Sequence, residues 1–197
     1  MMRRWNGWGD EAVIYPLPKA AGSFLEALMG PGTPPHDASW QDVVAAAPPT
    51  RLLPHPLVFA DPADRIRHAR GQSLPDWIAL RSGRLGALPD GVAYPTSAAD
   101  VRALLAYAQA TATRLIPYGG GTSVVGHINP PADAAPVVTV DMRRLNGLLK
   151  LDEVNHLATF GAGVTGPDLE AQLQAQGYTL GHFPQSFEYS TLGGWIV

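Results

Sequence analysis

The sequence predicts an α+β (α/β) fold: a small, mostly parallel βαβ subdomain leading into a second subdomain, preceded by an irregular, partly helical N-terminal appendage. Three observations carry this. Between residues 92 and 117 a short apolar run, a helix-period segment and a second apolar run follow one another, the order of two parallel strands around a crossover helix. The second run opens directly into a triple-glycine stretch, at the strand end where such sheets place ligands. The first 60 or so residues, by contrast, are proline-rich and weakly patterned. The domains are therefore set at 1–87 for the appendage and 88–197 for the binding domain.

Composition excludes several function classes. Glycine and proline make up about a fifth of the 197 residues, enough for extensive loops but below the share that signals disorder. The net charge of −3 gives no electrostatic case for nucleic acid or an anionic membrane surface. There is no cysteine, hence no disulfide, thiol nucleophile or thiolate metal site. Arg3-Arg4 is followed by no apolar run of signal-peptide length, and no window approaches 18 apolar residues. The expectation is a cytoplasmic protein with no transmembrane segment.

Taken in order, residues 23–30 predict a short helix with glycine as its stop, and residues 40–47 another ahead of Pro48-Pro49. Trp5 and Trp8 are read as aromatics that pack onto the main body. Residues 61–71 form a helical stretch in which Asp64, Arg65, Arg67, His68 and Arg70 read as a solvated charged face. A helix over 74–80, with Pro75 in its first turn, runs into Gly83. Residues 92–94 form a strand, and Thr96 or Ser97 then caps a helix over 98–110 with Val101, Leu104, Leu105 and Ala108 on one face. Strands follow at 114–117 and 137–140, then a hairpin of 148–151 and 156–160 around Asp152-Glu153. A final helix over 168–176 turns Leu169 and Leu173 inward and stops at Gly177.

The chemistry centres on Pro117-Tyr118-Gly119-Gly120-Gly121-Thr122-Ser123-Val124-Val125-Gly126. Consecutive glycines admit positive φ and let main-chain N–H groups approach a ligand without Cβ interference. Thr122 and Ser123 add hydroxyl donors. A concave row of N–H groups binds an anion, most naturally a phosphate or pyrophosphate. This is neither a P-loop, since His127-Ile128 stands where Lys-Ser/Thr is needed, nor a dinucleotide fingerprint, since Val124 replaces its last glycine.

Gly161-Ala162-Gly163-Val164-Thr165-Gly166 is a literal G-x-G-x-x-G after a strand and before a helix, with Glu188 at a ribose-binding distance. Alone it points to a nicotinamide enzyme. It is discounted because Glu188 lies in a polar loop rather than at a strand end. Thr165-x-x-Asp168 with Pro167 also explains the turn as a capped helix start.

Beyond the loop, a set of motifs spans nearly the whole chain. They are Trp5-Asn6-Gly7-Trp8-Gly9, Asp64-Arg65, Arg70-Gly71, Pro89-Asp90, Tyr94-Pro95-Thr96, the 162–166 turn, Gly177-Tyr178, Gly181-His182 and Pro184-Gln185-Ser186-Phe187-Glu188-Tyr189-Ser190-Thr191-Leu192-Gly193-Gly194-Trp195. In order and spacing they resemble the FAD enzymes of the vanillyl-alcohol oxidase and para-cresol methylhydroxylase (PCMH) type. They look most like the alkyldihydroxyacetonephosphate synthase (alkylglycerone-phosphate synthase) branch.

The resemblance implies a PCMH-type FAD-binding domain whose second subdomain is incomplete at Val197. It puts the FAD pyrophosphate on Pro117, Tyr118, Gly119, Gly120, Gly121, Thr122 and Ser123, and the ribityl and flavin portion along Gln185, Ser186, Phe187, Glu188, Tyr189, Ser190 and Thr191. Gln185 departs from the family's usual acid after the proline. FAD is expected to be held noncovalently, although His127 beside the loop invites comparison with relatives that attach it through histidine. His182 is read as structural. No metal site and no catalytic residue is assigned, because the branch's tyrosine, histidines and arginine are expected beyond Val197 with a substrate-binding cap domain.

The implied reaction exchanges a fatty acyl group for a fatty alcohol on dihydroxyacetone phosphate, without net redox change. The expected partners are a small-molecule or lipid-like substrate, with a homodimer allowed. The alternatives are an FAD-dependent 2-hydroxy-acid dehydrogenase or oxidase of lactate or glycolate type, and a truncated, catalytically inert FAD-binding fragment.

Overall fold

A computed structural model of the chain describes residues 3–33 and 36–197; the remaining four residues of the expected N-terminal appendage lie outside the described residues. Short helices α1 (Ala21–Met29) and α2 (Trp40–Ala45) form near their expected places. Gly30 ends α1 at φ 81°, and the Ser39 side chain accepts from Asp42 N to start α2. Next comes a two-residue strand β1 (Val58–Phe59), too short to register as a sequence pattern. It is followed by α3 (Pro62–Arg67) and α4 (Leu74–Ser82). Strand β2 (Gly91–Ala93), helix α5 (Ala98–Thr111) and strand β3 (Arg114–Tyr118) then make the expected unit. Ser97 caps α5 through a complete capping box with Asp100, which settles the choice between Thr96 and Ser97.

Strand β4 (Val137–Asp141) lies between β2 and β3 and is parallel to both, giving the order β1-β2-β4-β3. The two strands joined by α5 are thus not neighbours. β1 adds an antiparallel edge to β2, so the expected boundary near residue 87 falls inside this sheet. The hairpin β5 (Leu148–Asp152) and β6 (Leu157–Phe160) forms as read, antiparallel. The chain ends in α6 (Gly166–Gln174) and a short α7 (Leu192–Ile196) that the sequence reading missed. No described helix is long and apolar enough to cross a membrane.

Three apolar clusters hold these elements. Trp5, Val43, Ile66, Ala69, Leu80 and Leu85 bind the N-terminal segment to α2, α3 and α4. Ala93, Leu104, Val138 and Val140 form the core between sheet and α5. Val164, Leu169 and Leu173 form the third, under Phe160 and Trp195. On α5 only Leu104 is buried and Leu105 is exposed, so the expected apolar face is narrower than its spacing suggests. Thr165 does not cap α6 with a backbone bond; its hydroxyl donates to Asp168 Oδ2 instead.

The charges around α3 are not a solvated face. Arg65 is buried and donates from Nε to Pro89 O at 2.7 Å and from Nη1 to Pro48 O at 2.7 Å. It spans the approach to β2, taking up carbonyls that burial would otherwise leave unpaired. His68 is buried too, with Nδ1 facing Asp64 O at 2.7 Å and Nε2 facing Asp141 Oδ2 at 3.1 Å. Asp141, at the end of β4, also takes Nε of Arg143 on each oxygen at 3.0 Å. Burial pushes the Asp141 carboxyl up, but the hydrogen bonds from His68 and Arg143 outweigh it and hold the group at about 2.

The Asp141 carboxyl is depressed in the fold from 3.8 to about 2, so its contribution is fully present above pH 3.8 and is lost as pH falls through 2. That shift is equivalent to about 2 kcal/mol. Asp141→Asn is expected to lower stability by about 2–3 kcal/mol at neutral pH and to flatten melting temperature against pH between 4 and 2. Thermal melts across that range check it; an acid limb as steep as the parent's contradicts it.

Candidate functional site

The glycine stretch and residues 185–191 face each other across a cleft of about 880 Å³, a volume suited to a cofactor-sized ligand. Pro117, Tyr118, Gly119, Gly120, Gly121, Thr122 and Ser123 all border it, and so do Gln185, Ser186, Glu188, Ser190 and Thr191. Phe187 and Tyr189 do not. Phe187 turns away to stack on Trp195, with centroids 6.4 Å apart and planes at 16°. Tyr189 meets Trp8 edge-on at 5.2 Å, and Trp8 lines the cleft, partly exposed, rather than packing inside the body.

The glycines have a reason that the loop alone does not reveal. A Cβ on Gly119 would strike the Thr191 hydroxyl, and one on Gly120 would strike the carbonyl of Tyr189. Gly121 sits at φ 65°, with the Tyr118 hydroxyl and the Arg3 guanidinium where its Cβ would be. Two of the three are therefore required by close contact with residues 189–191, not by ligand approach. The far end of the loop is fixed too: Gln72 N donates to Ser123 O at 2.6 Å, and a Cβ on Gly71 would collide with that oxygen.

Among the described residues, no backbone N–H from Gly119 to Val125 donates a hydrogen bond within the chain. Gly120 and Gly121 are nonetheless buried. Buried amides without partners are rare, and a row of them on a cleft wall is an anion-binding feature. The carbonyls behave oppositely: Arg3 donates to Gly120 O from Nη1 and to Gly121 O from Nη2 at 2.9 Å, while Nη1 also donates to the Tyr118 hydroxyl at 2.7 Å. A peptide plane carries its N–H antiparallel to its C=O. The amides of Gly121 and Thr122 therefore point away from Arg3.

The second wall is wound around one carbonyl. Ser186 O accepts from Tyr189 N at 2.9 Å, Ser190 N at 2.8 Å and Ser190 Oγ at 2.9 Å, with Ser186 held at φ 65°. The Ser190 hydroxyl also accepts from Trp195 Nε1 at 2.7 Å, so it braces the turn more than it faces the cleft. The Thr122 and Thr191 hydroxyls make no hydrogen bond within the described residues, and both residues border the cleft. Glu170, buried at the base of this segment, accepts from the Thr179 hydroxyl and the N–H groups of Leu180 and Gly181.

The G-x-G-x-x-G turn is a scaffold for that wall. Leu192 N donates to Val164 O at 3.0 Å and Gly193 N to Ala162 O at 2.8 Å. Cβ atoms on Gly161 and Gly163 would run into the backbone of Leu145 and Met142, and one on Gly166 into the Phe187 ring. The amides of Gly161 and Gly163 are already spent on Gly147 O and Leu145 O. Those two amides are therefore not available to a dinucleotide.

No lysine or arginine borders the cleft among the described residues. Its ionisable lining is His127 and Glu188, with the Tyr118 phenol. His127 Nδ1 is 3.1 Å from Ser123 Oγ. Among the described residues no three His, Asp or Glu side chains gather as metal ligands would. Sequence reasoning missed Trp8, Gln72, Trp77 and Trp195 on the cleft itself and Arg3 behind the glycine loop. The signal available for Arg3 and Trp8 was the Arg3-Arg4-Trp5-Asn6-Gly7-Trp8 run itself, too dense in large side chains for an unstructured terminus.

Comparison with known proteins agrees with the geometry. An alkyldihydroxyacetonephosphate synthase of Dictyostelium discoideum is 34% identical across 98% of this chain and 38% of its own length. The synthase of Trypanosoma brucei brucei is 30% identical across 98% of this chain and 37% of its own. A solved alkyldihydroxyacetonephosphate synthase superposes with a TM-score of 0.84 at 32% identity, covering 98% of this chain and 41% of that one. The chain thus spans under half the length of these relatives. A model of the FAD binding domain matches residues 89–197, which include both walls of the cleft, and the chain belongs to that FAD-binding domain family.

Proposed function

We propose that the cleft holds FAD noncovalently, with its pyrophosphate on the amides of residues 119–123 and its ribityl and flavin portion along residues 185–191. The observation that carries this is the row of main-chain N–H groups at the end of β3, two of them on the buried Gly120 and Gly121, that have no hydrogen-bond partner among the described residues. Each N–H bonded to a charged oxygen contributes about 1.5–3 kcal/mol, so several together offset phosphate desolvation without a cation in the cleft. Thr122 and Thr191 offer hydroxyls at the two ends, and Trp8, Trp77 and Trp195 supply apolar surface for ring systems. His127 is engaged with Ser123, which fits noncovalent retention.

When bound, FAD supplies an electron-accepting ring system that the side chains of this chain do not possess. The chain's own part is to bind, orient and enclose it. The likeness to alkyldihydroxyacetonephosphate synthases supports a flavoenzyme that exchanges the acyl group of acyl-dihydroxyacetone phosphate for a fatty alcohol. In this reading the groups that meet the lipid-like substrate belong to the length of the relatives that this chain does not span.

Titrating the purified chain with FAD is expected to quench flavin fluorescence with saturation and to leave NAD unbound; NAD uptake without FAD would reject the proposal. Acyl-for-alkyl exchange by the holoprotein supports the synthase assignment, whereas 2-hydroxy-acid oxidation with dye reduction replaces it. Flavin retention without either turnover identifies a binding module alone. Gly120→Ala is expected to cost about 1–3 kcal/mol of stability through overpacking against Tyr189 and to weaken FAD at least tenfold. Calorimetry and the same titration check both figures.

A further inference from the structure

Arg3 touches neither cleft wall from the ligand side, yet it makes three hydrogen bonds behind the glycine loop. We propose that Arg3 is a positioning residue for the diphosphate, fixing and polarising the peptide units whose N–H groups receive it. The inference rests on residues 119–123 being the diphosphate site.

Four observations converge. First, the guanidinium takes the carbonyls of Gly120 and Gly121, so peptide planarity aims the N–H groups of Gly121 and Thr122 to the opposite side. Both of those residues border the cleft. Second, a carbonyl bonded to a cation polarises its own peptide, which strengthens the N–H across the plane as a donor. Third, no carboxylate pairs with Arg3 among the described residues, so its charge acts on the loop rather than being neutralised beside it. With no Lys or Arg lining the cleft, this is a positive charge placed one peptide layer behind the anion position.

Fourth, the residue is held in register. Its own carbonyl accepts from Arg67 Nη1 at 2.8 Å, its main chain forms an isolated antiparallel β-bridge with that of Asp10, and Trp5 two positions on is buried 5.3 Å from Trp40. The N-terminal segment is thereby a third component of the site, bound to the loop at Arg3 and to the opposite wall at Trp8 and Tyr189.

The test compares the unaltered chain with Arg3→Gln and Arg3→Lys, titrating each with FAD, ADP, riboflavin and adenosine and following fold by far-ultraviolet dichroism and melting. Arg3→Gln is expected to weaken FAD and ADP about tenfold or more while riboflavin and adenosine change by less than about twofold. Arg3→Lys, which keeps the charge but loses the fork, is expected to fall between the two. Parent-like FAD and ADP affinity in Arg3→Gln overturns the proposal, as does an equal loss for the ligands lacking the diphosphate. Should Arg3→Gln fail to fold, the same selective loss in Arg3→Lys supports the proposal and its absence overturns it. If the unaltered chain binds neither FAD nor ADP, the loop assignment itself fails and the role of Arg3 with it, a result separate from any variant's behaviour.

Discussion

The site depends on one contact: the main chain of the triple-glycine loop lying directly against residues 189–191, at the Thr191 side chain and the Tyr189 carbonyl. Thr191 and the Tyr189 carbonyl occupy the space that Cβ atoms would fill at Gly119 and Gly120. Backbone surfaces approach this closely only where one of them has no side chain. Everything else at the cleft follows. The loop can turn at the end of β3, keep its amides without partners among the described residues, and sit opposite a wall built by a distant part of the sequence. A loop that needed glycine only for flexibility would tolerate alanine at 119 and 120. This one has no room for it.

That contact stays fixed because both sides are braced from behind. Under the loop, β3 and β4 run parallel in register, with Tyr118 opposite Asp141. Buried Asp141 gathers the buried His68 ring and the more exposed guanidinium of Arg143, and the His68 ring lies 4.7 Å from that of Tyr118. Buried ion pairs contribute little net stability on average, but breaking one leaves a charge stranded. The cluster is better understood as a geometric pin that ties α3 to the ends of β3 and β4. Behind the opposite wall, the 161–166 turn plays the same part through backbone bonds to Leu192 and Gly193.

Most of the local structure was legible because local rules were obeyed. Ser73 and Ser97 stand three residues before Asp76 and Asp100, and both pairs form capping boxes. The glycine loop and residues 185–191 both have the sequence of binding segments, and twelve of those fourteen positions border one cleft. What failed was whatever depends on partners remote in sequence. A buried arginine such as Arg65 looks like a surface charge until the carbonyls of Pro48 and Pro89 are in place. Phe187 and Tyr189 share a motif with cleft residues, but their side chains pack on Trp195 and Trp8 rather than lining the cleft themselves. The strand order could not be read either, since β4 inserts between two strands that the chain joins directly.

A net charge of −3 and a cleft without a lysine or arginine look poorly suited to a dianionic ligand. The resolution lies in where the positive potential originates. A lysine inside the cleft would reach the phosphate directly, but its flexible stem would have to be ordered at an entropic cost on binding. Main-chain amides are already fixed by the fold, so they carry little of that cost, and a guanidinium behind them adds field without entering the ligand's space. Glu188, exposed on the rim, would repel an anion placed beside it. In the proposed binding mode the amide row and Arg3 would set not only the strength but the position of the phosphates, drawing them toward β3 and leaving the acidic rim to the uncharged part of the ligand. The peptide planes and the charges thus favour an anion at the glycines over one at the Glu188 rim.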